Sequence, residues 1–481
     1  MRCLLIGVRA FLSIGLALVI ASDAHAQGAS SLPLTEILPD LILRGITLPR
    51  PTTADISHQA HFSPIEGNEL NNPAVGIVQS FNKLMMVQLS TFPLGSSAGG
   101  FTYTFDESLG TFRRASSSFG PSFAERSRTI GRRKLSAGVT YQHTPYATFE
   151  GQDLDDGTIK FYLRHQECCS PGGGGGGGGG GTSAGPIEQP NGTRLSPPFE
   201  GDLIEAALSL KATTDTVAVF GNYGLTDRWD VAVVLPLVRV ALDASVQATI
   251  LRLATASTPL THTFELNNPQ ATQKVFRRTG TATGLGDVLL RTKYHIASFA
   301  GDGLAAAIDV RLPTGDQKNL LGVGAQAKMF LIASGTMGRV LPHVNLGYTA
   351  ARGDVGRIGL LAEVGKEDPL PDEFSYAAGT EFIAHPRLTI VGDIVGRTLR
   401  QSGRLAITSK SFEYQGASSV QTITFDEFDS RDGSLHLLLG TLGFKLNLVG
   451  NTLVSGHVLF PLTEAGLRSR LTTVVGLDYA F

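Results

Sequence analysis

The stretch "RSRLTTVVGLDYAF", residues 468–481, ends on a bare phenylalanine. Leu471, Val475, Leu477, Tyr479 and Phe481 share one side of a period-two alternation, while Thr472, Gly476, Asp478 and Ala480 share the other. Successive strand side chains point to opposite faces, so the stretch predicts a strand with one apolar and one small or polar face. Such a strand suits a soluble sandwich whose apolar faces meet. It suits equally a barrel with lipid outside and water within.

The same pattern recurs upstream. In "GDVLLRTKYHI" (286–296), Val288, Leu290, Tyr294 and Ile296 oppose Asp287, Arg291, Lys293 and His295. In "GLAAAIDVRLP" (303–313), Leu304, Ile308 and Val310 oppose Asp309 and Arg311. In "RLTIVGDIVGR" (387–397), Leu388, Ile390 and Ile394 oppose Asp393 and Arg397. Leu290 and Ile308 are expected to face lipid, and Leu289 and Ala307 to lie on a face that tolerates charge. The connections decide between the two folds. Short ones at 224–227, 299–303, 334–338, 385–387 and 449–451 alternate with long ones. That alternation predicts an all-β, transmembrane, antiparallel up-and-down barrel, with tight turns in the periplasm and longer loops outside. Closure also removes the unpaired edges that lipid forbids.

Counting back from Phe481 gives strands at 467–481, 452–461, 435–448, 387–400, 374–384, and 338–350. Further strands follow at 322–333, 302–312, 284–298 and 229–252. Residues 202–225 read as one long strand whose middle, "KATTDT" (211–216), shifts the alternation like a bulge. Segments 133–149, 99–106 and 84–93 complete about fourteen, within a range of twelve to sixteen. A terminal aromatic on the apolar face is what such barrels present to the insertion machinery, which makes Tyr479 and Phe481 the expected insertion signal.

Composition agrees. The 481 residues are 42% hydrophobic and 17% charged, with a formal net charge of −2. These values suit neither a disordered chain nor a bundle of membrane helices, and no basic arm points to nucleic acid. Residues 1–26 read as a signal peptide, from Arg2 and Arg9 through an apolar run to "AHA" before Gln27. No later run is long and apolar enough for a membrane helix. The barrel proper is expected over 84–481, preceded by an N-terminal segment, 27–83. The ten consecutive glycines of "CCSPGGGGGGGGGGTSAGP" (168–186) predict a flexible outer loop over 166–201 rather than a phosphate loop, since no strand, helix or lysine frames them. The adjacent Cys168 and Cys169 are poorly placed for a structural disulfide and lack further ligands for a metal. No metal or cofactor is expected.

Three stretches resemble the outer-membrane transporters associated with phenol-degradation meta-pathway clusters: "NYGLTDRWDVAVVLPL" (222–237), "GLGDVLLRTKY" (284–294) and "DVRLPTGDQKNLLGVGA" (309–325). The strand count and the N-terminal segment are similar to FadL-type channels for hydrophobic molecules. In those a plug carries an Asn-Pro-Ala motif, matched here by Asn72, Pro73 and Ala74 in "NELNNPAVG" (68–76). The long glycine loop and the extra residues 27–65 depart from that type. The resemblance implies a channel in the cell outer membrane that passes small, mainly hydrophobic compounds, aromatic ones among them, by passive diffusion. Its partners would be outer-membrane lipid, the insertion machinery and the solutes themselves. Asp287, Arg291, Lys293, Asp309, Arg311, Asp393 and Arg397 are the candidates to line its lumen, by conduction or by mutual pairing. A structural or adhesive barrel stays open as an alternative. A lipid hydrolase is disfavoured because no nucleophile elbow accompanies the scattered histidines, and no enzyme is expected.

Overall fold

The computed structural model describes residues 32–49, 73–90, 100–106, 111–114, 116–164, 187–188, 194–195, 202–253, 262–353, 369–415 and 419–481. Its alternating segments pair in sequence order. They are β1 (Leu135–Phe149), β2 (Leu203–Thr226), β3 (Trp229–Leu251), β4 (Leu289–Ala297), β5 (Gly303–Arg311) and β6 (Ala325–Ser334). The other half comprises β7 (Val340–Arg352), β8 (Glu373–His385), β9 (Leu388–Leu399), β10 (Leu435–Val449), β11 (Thr452–Pro461) and β12 (Thr472–Ala480). Each pairs antiparallel with the next, and β12 pairs back onto β1, so the barrel closes with twelve strands. Four more strands attach outside the ring: Gln152–Asp153, Ile159–Arg164, Gln273–Leu285 and Leu467–Ser469.

The count is therefore twelve rather than fourteen, because two upstream segments are not barrel strands. Pro73–Ser90 is an α-helix, α1, where a strand was expected over 84–93. Leu84, Met85, Met86, Val87 and Leu89 are all buried, and a run this short and mostly apolar carries no clear period to tell a buried helix from a buried strand. Tyr103–Asp106 pairs only with Thr111–Arg114, in a separate hairpin.

The exterior carries a band of apolar side chains. Leu290 and Ile308 are 42% and 41% exposed, while their neighbours Leu289 and Ala307 are 8% and 2% exposed. Ala307 packs with Ala305, Phe330 and Ile332. Its face is thus inward but too crowded to accept a long charged side chain, a correction to the expectation of tolerance.

Strand β2 runs 24 residues, roughly 80 Å at the usual rise, against the 9–11 residues that span a bilayer. Its outward positions are apolar below, at Val217, Val219, Tyr223 and Leu225, and polar above, at Glu205, Ser209, Lys211 and Asp215. Inward positions are mixed below, with Thr216 and Asn222 among Ala218 and Phe220, and apolar above, at Ile204, Leu208 and Leu210. β3 changes over in the same way, between Val233 and Leu235 below and Arg239 and Asp243 above. No register shift occurs between Leu203 and Gly224, so the change at 211–216 is not a bulge. The strand leaves lipid and becomes the wall of a water-facing core. Asp215 marks the crossing, 2.7 Å from His143 and 3.9 Å from Arg239, with the Tyr141 hydroxyl donating to it at 2.8 Å.

That upper core lies at the loop end of the barrel. Leu38, Leu41 and Ile42 of residues 34–44, and Val78, Phe81 and Met85 of α1, pack with the inward faces of upper β2 and β3. Phe81 meets Phe149 at 4.3 Å, and Phe149 meets Phe428 of the hairpin Arg404–Gln415/Val420–Arg431 at 6.0 Å. Polar contacts fix the arrangement: Asn82 Nδ2 donates to Thr35 O, Arg278 Nε to Asp40 Oδ2, and Leu467 N to Gln88 Oε1.

Candidate functional site

Residues 116–134 precede β1 and lie inside the turn end of the barrel. "GPSFAERSRTI" (120–130) has neither apolar period nor helix or strand, so its backbone groups need partners from elsewhere. Inward side chains supply them. Glu381 Oε2 accepts from Gly120 N at 3.0 Å, and Asp393 Oδ2 from Ser122 N at 3.3 Å and Phe123 N at 3.1 Å. Asn345 Oδ1 accepts from Glu125 N at 2.6 Å, Ser334 Oγ from Ser127 N at 3.0 Å, and Asp230 Oδ2 from Ile130 N at 2.9 Å. In the other sense Lys445 Nζ donates to Pro121 O at 2.7 Å, and Lys293 Nζ to Arg128 O at 2.9 Å. Carboxylate, amide and hydroxyl oxygens take the N–H groups, and the two lysines donate to carbonyls. Irregular backbone at membrane depth is tolerated only where protein buries it and satisfies it this way. Gly131 turns the segment into β1 at φ +105°, where a Cβ would meet Tyr103 O at 2.4 Å.

Above this segment and below the apolar core lies a chamber of about 160 Å³. Arg291, Arg311, Lys328 and Arg397 face it together with Glu125, Asp309 and Glu373, and Phe123 and Phe330 supply aromatic surface. Arg291 grips Asp309 through Nε and Nη2, both at 2.6 Å, and its Nη1 reaches Glu125. Arg397 holds Glu373 at 2.6 Å. Phe330 lies between two cations, with the Arg291 guanidinium 5.2 Å and the Lys328 ammonium 5.0 Å from its centroid. A smaller hollow beneath α1, lined by Gln88, Tyr146, Leu437 and Leu467, shares Val395 and Arg397 with the chamber.

The candidate lumen residues divide by level. Arg291, Asp309, Arg311 and Arg397 border the chamber. Lys293 and Asp393 hold the internal segment, and Asp393 also sits 2.7 Å from His343 Nε2. Asp287 does neither: between strand 273–285 and β4, it accepts from Gly315 N, Val323 N and Gly324 N. The motif stretches 284–294 and 309–325 thus meet at one corner of the wall, which is architecture rather than a solute site. Asn72 lies outside the described residues, Pro73 opens α1, and Ala74 is buried in the core at the loop end. Tyr479 faces outward, its ring 4.7 Å from that of Phe481. Cys168, Cys169 and the ten glycines fall outside the described residues. Sequence reading missed the internal segment and its partners Glu381, Asn345 and Lys445. Only the placement of polar residues at inward positions of β7, β8 and β10 hinted at them. Among the described residues no group of three or more His, Cys, Asp or Glu side chains is placed to hold a metal.

A closed antiparallel barrel, apolar outside and charged within, defines an outer-membrane β-barrel. No family model and no curated protein matches the chain. The architecture is similar to that of a Pseudomonas aeruginosa FadL homologue, at 9% identity and a TM-score of 0.31, covering 73% of this chain and 90% of that one. It is similar also to the P. putida toluene transporter TodX, at 10% identity and a TM-score of 0.30, with the same shares covered. The Ralstonia pickettii toluene transporter TbuX is comparable, at 10% identity and a TM-score of 0.27, again with 73% and 90% covered.

Proposed function

We propose that the protein is an outer-membrane channel that passes small, mainly hydrophobic compounds, single aromatic rings among them, by passive diffusion. The chamber carries this reading: it is a small space in the lumen lined by aromatic and charged side chains. An apolar cavity of about 150 Å³ is known to take one benzene molecule, so a space of this size suits one small ring. The apolar core above offers such a solute an entry from the outer surface, past α1 and the hollow at Leu437 and Leu467. The internal segment below offers a movable floor, since polar contacts on an irregular strand break one at a time. Residues 27–83 act in this reading as the upper plug. The three motif stretches support kinship with the phenol-degradation transporters.

The test is reconstitution of the full chain in planar bilayers and in vesicles. The expected result is low ion conductance together with uptake of a neutral aromatic faster than in protein-free vesicles. Removing residues 27–83 should raise conductance and abolish selective uptake. A large, steady ion conductance in the full chain, or no aromatic uptake above background, sinks the proposal.

A further inference from the structure

Among the described residues the chamber is lined by Arg291, Arg311, Lys328 and Arg397 and by Glu125, Asp309 and Glu373. All three carboxylates are engaged, Asp309 and Glu125 by Arg291 and Glu373 by Arg397. Lys328 lies on the inward face of β6, across from Asp309 in the β5–β6 pairing, yet that carboxylate is held by Arg291. Among the described residues the Lys328 ammonium has neither a carboxylate within 4.0 Å nor a hydrogen-bond acceptor, only the face of Phe330. An ammonium inside a protein is costly without a counter-charge. Two of the surfaces beside it are aromatic, Phe330 and Phe123.

We propose that the chamber is a binding site for a single-ring aromatic carboxylate, its anionic group on Lys328 and its ring against Phe330 and Phe123. This deepens the channel reading and rests on it for the solute's passage. It narrows the cargo from hydrophobic rings in general to amphipathic ones that carry one negative charge. The volume limits the ring to one, and the three engaged carboxylates exclude a cation. Arg291 and Arg397, already paired, keep the walls in place and do not compete for the anion.

The experiment is equilibrium binding to the folded, detergent-solubilised full chain. The probes are benzoate, toluene, benzylamine and acetate, which separate charge from ring. Benzoate should bind about tenfold or more tightly than each of the other three, the scale of one charge-assisted hydrogen bond. Lys328→Met should lose that margin, and Lys328→Arg should keep most of it. Heat-modifiable mobility confirms that each variant is folded. Toluene or acetate binding as well as benzoate overturns the proposal, as does a folded Lys328→Met variant with unchanged benzoate affinity. Vesicle uptake separates the two readings. Toluene flux without benzoate binding sinks this site and leaves the channel, whereas benzoate binding without flux upholds the site and sinks the channel.

Discussion

Asp393 is the residue on which most of the lower lumen turns. One of its oxygens accepts from two successive backbone N–H groups, those of Ser122 and Phe123, and the other meets His343. In sequence it was a polar residue at an inward position of a strand, and its face was legible from parity alone. Its partner was not, because residues 120–130 have no pattern that marks them as internal. Removing its side chain takes this partner from the Ser122 and Phe123 N–H groups and from His343, at about 1–3 kcal/mol for each buried group. The twelve-strand wall does not depend on them. Asp393→Ala should therefore stay folded by heat-modifiable mobility while its ion conductance rises several-fold, and Asp393→Asn should fall between. An unchanged conductance in the alanine variant would mean the segment stays seated without this carboxylate.

Glu427 sets a second local balance, at the loop end. It is buried in the hairpin 404–431 beside strand 159–164 and accepts from Tyr162 N at 3.2 Å. Burial raises its pKa, and the Tyr162 N–H and Lys410 offset this only in part. A carboxylate raised in the folded state favours folding most below its ordinary pKa, about 4.3, and loses that contribution as pH climbs through the raised value. The hairpin should accordingly dock more firmly on strand 159–164 at pH 4 than at pH 7. Amide exchange across 159–164, corrected for intrinsic rates, measures this. Glu427→Gln should abolish the pH difference, and a persistent difference would place the titration elsewhere.

Among the elements, β2 shows how much a strand's sequence says and where it misleads. The alternation never breaks, but the meaning of each face changes once the strand passes Asp215. Read with one meaning throughout, "KATTDT" looks like a slip; read with the bilayer in place, it is the water line. The same limit hid α1, whose mostly apolar run has no clear period to read. Barrel strands β1 to β12 were legible because lipid and lumen impose opposite demands on adjacent residues. The covering elements touch no lipid, so nothing in their sequence fixed their place. Arginine at Val219, on the lipid side, should impair insertion by about 2–4 kcal/mol if it sits near the midplane. Arginine at Ser209, ten residues up the same face, should be tolerated. Equal loss of membrane-embedded protein from both would place all of β2 in lipid.

At the scale of the whole molecule the lumen has three layers: an apolar core, a charged chamber and a polar floor. A solute that enters from outside must pass the floor to reach the periplasm, and the floor is the segment 116–131. It either shifts during passage, or the solute slips between it and the wall. Ser127 and Ser334 decide between these, since their hydroxyl oxygens lie 2.7 Å apart and tie the segment to β6 at the turn end. Replacing both with cysteine, in a chain whose Cys168 and Cys169 are serine, brings two sulfurs within reach of a disulfide. Oxidation would then fasten the floor without altering the chamber. If the floor must move, the oxidised variant should bind solute normally yet lose uptake into vesicles, and a reductant should restore uptake. The same chain with Ser127 and Ser334 intact should not respond to either treatment. Should the cross-linked protein carry solute at the unmodified rate, the floor is fixed architecture and the route runs past it along the wall.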